Sequence, residues 1–531
     1  MLTLRNLTKT GVLAAMLATA SSCMQDLDRQ PFYDVTSVSV YQDPANYKQV
    51  LAKLYAVLAV SGQQGPAGKP DISGIDEGFS NYLRQYWMAQ ELTTDEAVIG
   101  WNDGSLPDYH NMNWSSGNEF ITAMYNRIFY MVTASNEFIR ETTDAKLAER
   151  GITGDNATNA RVYRAEARFL RALAYYHAID MFGSVPFVTE ADAVGSFTPR
   201  QISRAELFTY IETELKAIET ELAAPKTGEY GRADQAAAWT LLSKLYLNAQ
   251  VYTGTPRYTE AVTYADKVIK SNAYGLDADY PKLFLADNNT SREIILPITF
   301  DGTRTKTYGG MTFIVHAAVG GKMSPANFGI NGGWAGMRTT KNLVNLFPDP
   351  SGKTDTRALF FTDGQSLEIN EVLNKFEEGY AITKFKNVTS TGAVGSDTEG
   401  NFPDTDFALF RLADVYLMYA EAVLRGGTGG DQTTALNYVN LVRQRAYKGT
   451  TGNLASINLD AILAERGREL YWEGHRRTDL IRFGRFTEAS YLWPFKGGVK
   501  AGRGVEAFRT VFPLPAADLI ANPNLKQNQG Y

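Results

Sequence analysis

A chain of 531 residues, 44% hydrophobic and 12% aromatic, has enough apolar material for a large core, and its formal charge of −6 with interspersed signs offers no basic stripe for nucleic acid. A single cysteine excludes an internal disulfide. Four scattered histidines (His110, His177, His316, His475), none in an H-E-x-x-H arrangement, offer no imidazole or thiolate cluster for zinc.

The N-terminus reads as an export signal: Arg5 and Lys9 form a basic start, "GVLAAMLA" an apolar stretch, and "TASS" a run of small residues. That stretch is about half of the roughly 20 apolar residues a membrane-spanning helix needs, and no later charge-free segment approaches the length. Cys23 follows the small residues directly and is expected to be a lipobox cysteine, acylated to become the new N-terminus, although Ala20 stands where such boxes usually carry leucine. Residues 1–22 are thus read as signal peptide and 23–531 as one soluble domain.

Helical periodicity comes next, in blocks. In "NYKQVLAKLYAVLAV", Val50, Leu51, Leu54 and Leu58 share one helical face. "GNEFITAMYNRIFYMVTASNEFIRE" and "NARVYRAEARFLRALAYYHAIDMFG" repeat the pattern at greater length, the second ending at Gly183 with Pro186 beyond. "SRAELF" opens a further helix with a capping box, Ser203 and Glu206. Residues 233–271 read as two amphipathic helices around a Thr-Gly-Thr-Pro break, and residues 406–446 as a similar pair broken at Gly426–Gly430. Each pair resembles a tetratricopeptide-like hairpin without the tryptophan-leucine-glycine signature. The expected fold is mainly α, a scaffold of hairpins over approximately 40–62, 117–271 and 406–476.

Between the helical blocks lie two long polar stretches rich in Gly, Asn and Trp, approximately 63–116 and 272–405, with "REIILPITF" and "MTFIVHAAV" read as short strands. Loops this long are functional or disordered, and their aromatic content argues against disorder. "GQQGPAGKP" approaches a phosphate loop but misses its spacing, and Pro70 stands where Ser or Thr would hold magnesium. No G-x-S-x-G elbow is present. The catalytic alternative is glycoside hydrolysis, which needs only two facing carboxylates. Asp76/Glu77 and Asp95/Glu96 are sequence neighbours that would point apart in extended chain, so neither pair makes a convincing clamp. What remains is equipment for sugars: an aromatic face for C–H surfaces and planar polar groups for hydroxyls. Arg84, Trp87, Trp101, Tyr308 and Trp334 all lie in the irregular stretches, where composition alone does not separate binding faces from packing.

The C-terminal stretches "ERGRELYWEGHRRTDLIRFGRF" and "VFPLPAADLIANPNLKQNQGY" resemble the hallmarks of the SusD/RagB family of outer-membrane nutrient-binding lipoproteins, and the likeness runs along the whole mature chain. In the hallmark helix, Glu465, Arg466 and Glu469 bring opposite charges to helical spacing, and Arg476, Arg477 and Asp479 read as a partly buried charge network belonging to the scaffold. "DISGIDEG", "YGRADQAAAW", "LFLADN" and "TYGG" are similar to the family's starch-binding founder. The resemblance implies a non-catalytic binder of starch or maltooligosaccharides. Its aromatic arc would be Trp101, Tyr308 and Trp334, with Arg84 hydrogen-bonding sugar hydroxyls. Ile99 stands where the founder has a tryptophan, and Gly104 where it has a sugar-binding asparagine, for which Asn102 is the candidate substitute. The resemblance further implies a structural calcium at Asp287, Asp404 and Asp406, whose oxygen ligands suit that ion. It implies a SusC-like TonB-dependent transporter as partner, and, from the acidic "MQDLD" after Cys23, a lipid anchor outside the outer membrane.

Overall fold

The computed structural model describes residues 37–195 and 197–531, so Cys23 and the expected signal peptide lie outside the described residues. The apolar face read at the start of the chain forms helix α1 (Pro44–Ala59). Its successor α2 (Tyr82–Glu91) falls inside a stretch expected to be irregular, with Asn81 as its N-cap. The long periodic blocks form α3 (Glu119–Glu141) and α4 (Gly154–Met181). Helix α5 (Arg204–Ile218) carries the expected reciprocal capping box between Ser203 and Glu206. The first hairpin is α6 (Gln235–Leu247) and α7 (Tyr258–Lys270), and the Asp234 side chain accepts from the Ala237 amide to start it.

The scaffold is a succession of packed neighbours: α3 on α4, α4 on α5, and α6 on α7. Buried alanines at 236, 237, 238, 261 and 265 let α6 and α7 approach closely.

Short strands tie the irregular half to this scaffold. Strand β1 (Val98–Ile99) leads out of the α2 region, and β2 (Ile294–Ile298) forms within "REIILPITF" as expected. "MTFIVHAAV" is not a strand. It lies in helix α8 (Gly310–Ala317), every residue of which is buried. An element buried on all sides shows no polar face, so its period cannot be read. Strand β3 (Met337–Arg338) pairs antiparallel with β1, and β4 (Phe407–Arg411) pairs antiparallel with β2. The pattern from Asp406 onward therefore begins as a strand, and only then turns into α9 (Leu412–Leu424) and its hairpin partner α10 (Gln432–Ala446). Helix α9 packs on both α7 and α10.

The hallmark residues occupy α11 (Leu459–Leu470) and α12 (Arg476–Arg482), and their charges are fully buried rather than partly. Glu469 accepts from three guanidinium groups, those of Arg357, Arg411 and Arg445. Glu465 accepts from Arg357, Arg443 and Arg468. Arg466 is shared by Asp414 and Asp479 at 2.8 and 2.7 Å. The network joins α9, α10, α11 and α12 to the irregular half through Arg357, as expected of scaffold.

Candidate functional site

Arg84 sits in the first turn of α2 because the Asn81 side chain caps that helix, accepting from the Arg84 amide at 3.0 Å while donating to the Ala59 carbonyl at 2.6 Å. Its guanidinium lies over the Phe313 ring of α8, 4.3 Å from the centroid. Nη1 reaches only to the carbonyls of Gly78 and Tyr308, both at 3.5 Å, and the buried Nε has no hydrogen-bond partner. Burial lowers the Arg84 pKa to about 10, against the pull of Asp103 and Asp76, so the group remains a cation with donors to spare.

The "TYGG" segment is held close to the same cap. A Cβ at Gly309 would come within 2.0 Å of the Asn81 side chain, and Gly310 has the left-handed φ of 52°. Tyr308 beside them is 41% exposed, its ring tilted 36° to that of Phe402.

Pairing of β1 with β3 sets the next face. Trp101 follows β1 by two residues and lies close against Gly336, where a Cβ would be 2.5 Å from the indole. The indole N–H donates to the Trp334 carbonyl at 3.2 Å, and its ring meets the edge of Phe313. Trp334 stacks on His316 at 4.8 Å and 29°, and its amide donates to the His316 carbonyl at 2.8 Å. The two His316 ring nitrogens face the carbonyls of Gly332 and Asn401 at 2.7 and 3.0 Å. Burial lowers the His316 pKa although both carbonyls favour its charged form. Ala335 takes the left-handed φ of 48° directly after Trp334, which turns the chain back to β3.

Contacts thus link four of the expected site residues into one row: Arg84 reaches the Tyr308 carbonyl, Arg84 and Trp101 both pack on Phe313, and Trp101 donates to Trp334, which stacks on His316. Asn102 lies exposed beyond Trp101. Ile99 is a buried β1 residue opposite Met337 and offers no face. Gly104 has the left-handed φ of 47° that favours glycine, and a Cβ there would displace the Glu119 carboxylate, 1.7 Å away. Trp87 belongs to the core, its indole donating to the Trp472 carbonyl at 2.9 Å. Sequence reasoning missed Phe313 and His316, whose supporting roles come only from the packing of α8.

The remaining polar candidates are structural. Asp95 is fully buried in a bidentate pair with Arg476, both contacts at 2.7 Å. Glu96 is buried beside Glu91, and burial together with that like charge raises its pKa. Neither acid of this pair is open to a substrate. All four histidines are buried, and burial lowers His110 to about 4 and His177 and His475 to about 3. The three expected calcium ligands do not assemble. Asp287 is occupied by the amide and hydroxyl of Ser390 at 2.8 and 2.6 Å. Asp404 accepts from Gly302 and Ser396, and Asp406 from Phe300 and Tyr230. Asp404 and Asp406 line one cavity and Asp287 another, and no group of three metal-ligating side chains occurs among the described residues.

A model of the SusD family matches residues 352–531, and one described as starch-binding associating with outer membrane matches residues 27–247. The chain is 34% identical to the starch-binding protein SusD of Bacteroides thetaiotaomicron, over 99% of each chain. Surface glycan-binding protein A from Bacteroides thetaiotaomicron, solved in complex with laminarihexaose, superposes with a TM-score of 0.68 at 21% identity, covering 91% of this chain and 99% of that one. Its counterpart from Bacteroides uniformis gives a TM-score of 0.70 at 20% identity over 92% and 99%. With a relative at this identity over essentially its full length, the chain belongs to the SusD family of non-catalytic glycan-binding proteins.

Proposed function

We propose that the row from Tyr308 to Trp334 binds the α-1,4-glucan chain of starch, which the protein passes to a SusC-like TonB-dependent transporter. The observation that carries this reading is the unspent Arg84 guanidinium among the exposed Tyr308 ring and the half-buried Trp101 and Trp334. Trp101 and Trp334 are tilted 45° to each other. Coplanar rings suit a flat ribbon of sugars, whereas successive tilted faces suit a chain that curves, as an α-1,4-glucan does. Each ring covers the C–H face of a pyranose, and Arg84 donates to hydroxyls that the rings leave unsatisfied. The name of the 34%-identical relative supports starch as the ligand. Affinity electrophoresis against amylose, pullulan, glycogen, a cyclic dextrin and laminarin tests it: retention by the α-glucans is expected, and retention by laminarin alone would reject it.

In this reading Cys23 carries an acyl anchor that holds the binder at the cell surface. Cys23→Ala is expected to fold normally but to appear in soluble or mislocalised fractions, because a removable anchor resides on that thiol. Continued surface location with fatty-acid labelling would rule the anchor out. Incubation with maltooligosaccharides is expected to yield no new reducing ends, since the Asp95 carboxylate is spent on Arg476. Hydrolysis lost on Asp95→Asn would instead support a glycosidase.

A further inference from the structure

Two sequence motifs take no part in the aromatic row, the turn "GQQGPAGKP" and the "YGR" that precedes α6, and they face each other across a cavity of about 650 Å³. That volume falls within the range of small-ligand sites, about 300–1,000 Å³. Leu51, Ala52 and Ala56 of α1 give it an apolar floor, and Gln63 and Gln64 bring planar amides to one wall. None of the row residues lines it, but the segment from Thr299 to Lys306 closes one side and then continues into Tyr308.

Tyr230 on the opposite wall is 47% exposed, yet its hydroxyl donates to buried Asp406 at 2.6 Å. The other Asp406 oxygen accepts from the Phe300 amide at 2.7 Å. The ring is thus an open face that cannot swing away. Arg232 beside it spends Nε and Nη2 on Glu166 and leaves Nη1 with only a 3.5 Å contact to Glu229. Lys48 is paired with Glu229 at 2.6 Å. Lys48 and Arg232 are thus matched by Glu229 and Glu166, while Lys306 and the exposed Arg304, 3.7 Å from Asp301, add cationic groups to the Thr299–Lys306 side, which the anion arm of the test below addresses. A fixed aromatic face, planar amides, a part-used guanidinium and an apolar floor are the partners of a neutral, hydroxyl-rimmed ring.

We infer that this cavity is a second saccharide site, taking a short run of pyranose units from the same neutral glucan that the aromatic row binds, an inference that rests on the reading above. Two sites on one polymer raise retention by effective concentration, so the cavity matters more for long chains than for short ones.

The test uses the full chain in amylopectin affinity electrophoresis, with the tryptophan fluorescence response to maltohexaose as a separate report on the row. Ala52→Trp fills the cavity from an exposed position of α1, and Tyr230→Ala removes its stacking face. Each is expected to weaken polymer retention by roughly tenfold, and Tyr230→Ala, which adds no fluorophore, to leave the maltohexaose fluorescence response unchanged. A variant with Trp101, Tyr308 and Trp334 all replaced by alanine should keep weak retention that disappears when Ala52→Trp is added. Wild-type retention by both cavity variants, with native melting temperatures, would overturn the second site while leaving the row intact. Full retention by the triple variant, lost on Ala52→Trp, would uphold the cavity and reject the row. Retention in dextran sulfate but not in amylopectin, abolished by Ala52→Trp, would overturn the neutral-glucan assignment in favour of an anion.

Discussion

Alanine in place of Trp101 or Trp334 weakens glucan binding by about 1–3 kcal/mol each, the usual cost of removing an aromatic anchor, and loss of both together with Tyr308 leaves the row without measurable affinity. Tyr308 belongs in the same series because its ring is 41% exposed and supports little besides Phe402. The competing expectation is loss of stability, since truncating a large aromatic within a core costs about 3–5 kcal/mol. Trp101 and Trp334 are half-buried, on Gly336 and His316 respectively, so a modest fall in melting temperature accompanies their loss. Calorimetric titration with maltohexaose beside a thermal melt separates the two effects. Arg84→Lys adds a sharper check. It keeps the charge over Phe313 but loses the planar fork of donors, so affinity should fall while the melting temperature holds. Folded variants that bind as the wild type does would remove these residues from the site.

Glu469→Ala is expected to destabilise the protein by about 3–5 kcal/mol or to prevent folding, because it strands buried guanidinium groups without a counter-charge. Arg357, Arg411 and Arg445 all meet at that carboxylate, and each residue is buried. Urea denaturation monitored by circular dichroism measures the loss; a variant within 1 kcal/mol of the wild type, roughly the size of a surface pair, would contradict it. The same carboxylate sets an acid limit. Burial alone would raise its pKa, but Arg445, Arg411 and Arg357 overcome burial and hold Glu469 down to about 2. Glu465 is held below its ordinary range in the same way, by Arg357, Arg468 and Arg443. A folded pKa below the unfolded value of about 4.3 means that this stability is complete above roughly pH 5 and is lost as pH falls toward 2. Glu91 acts with the opposite sign. Burial pushes it up to about 7, so its contribution is largest in acid and fades as pH rises through 7. Melting temperature is therefore expected to drop steeply between pH 5 and pH 2, and less steeply if a Glu469 variant folds.

Apolar period and capping residues determined the helical scaffold by themselves. A helix with one wet face must repeat its apolar residues every three to four positions, and Ser203 with Glu206 satisfies end groups by purely local contacts. The hallmark run likewise revealed a charge network through its i, i+3 spacing, and the resemblance pointed to Arg84, Trp101, Tyr308 and Trp334, which the fold brings near one another. The network's depth of burial was not legible, because Arg357, Arg411 and Glu293 join it from distant segments. Tertiary structure alone decided that "MTFIVHAAV" is a helix, that Phe407–Arg411 is a strand, and that Ile99 faces the core, since full burial erases the period that would tell them apart. It also decided what each acid does. Asp95, Asp287, Asp404 and Asp406 look alike in sequence, but a carboxylate takes its role from whichever donors the fold brings to it, and here those donors are Arg476, Ser390, Ser396 and Tyr230.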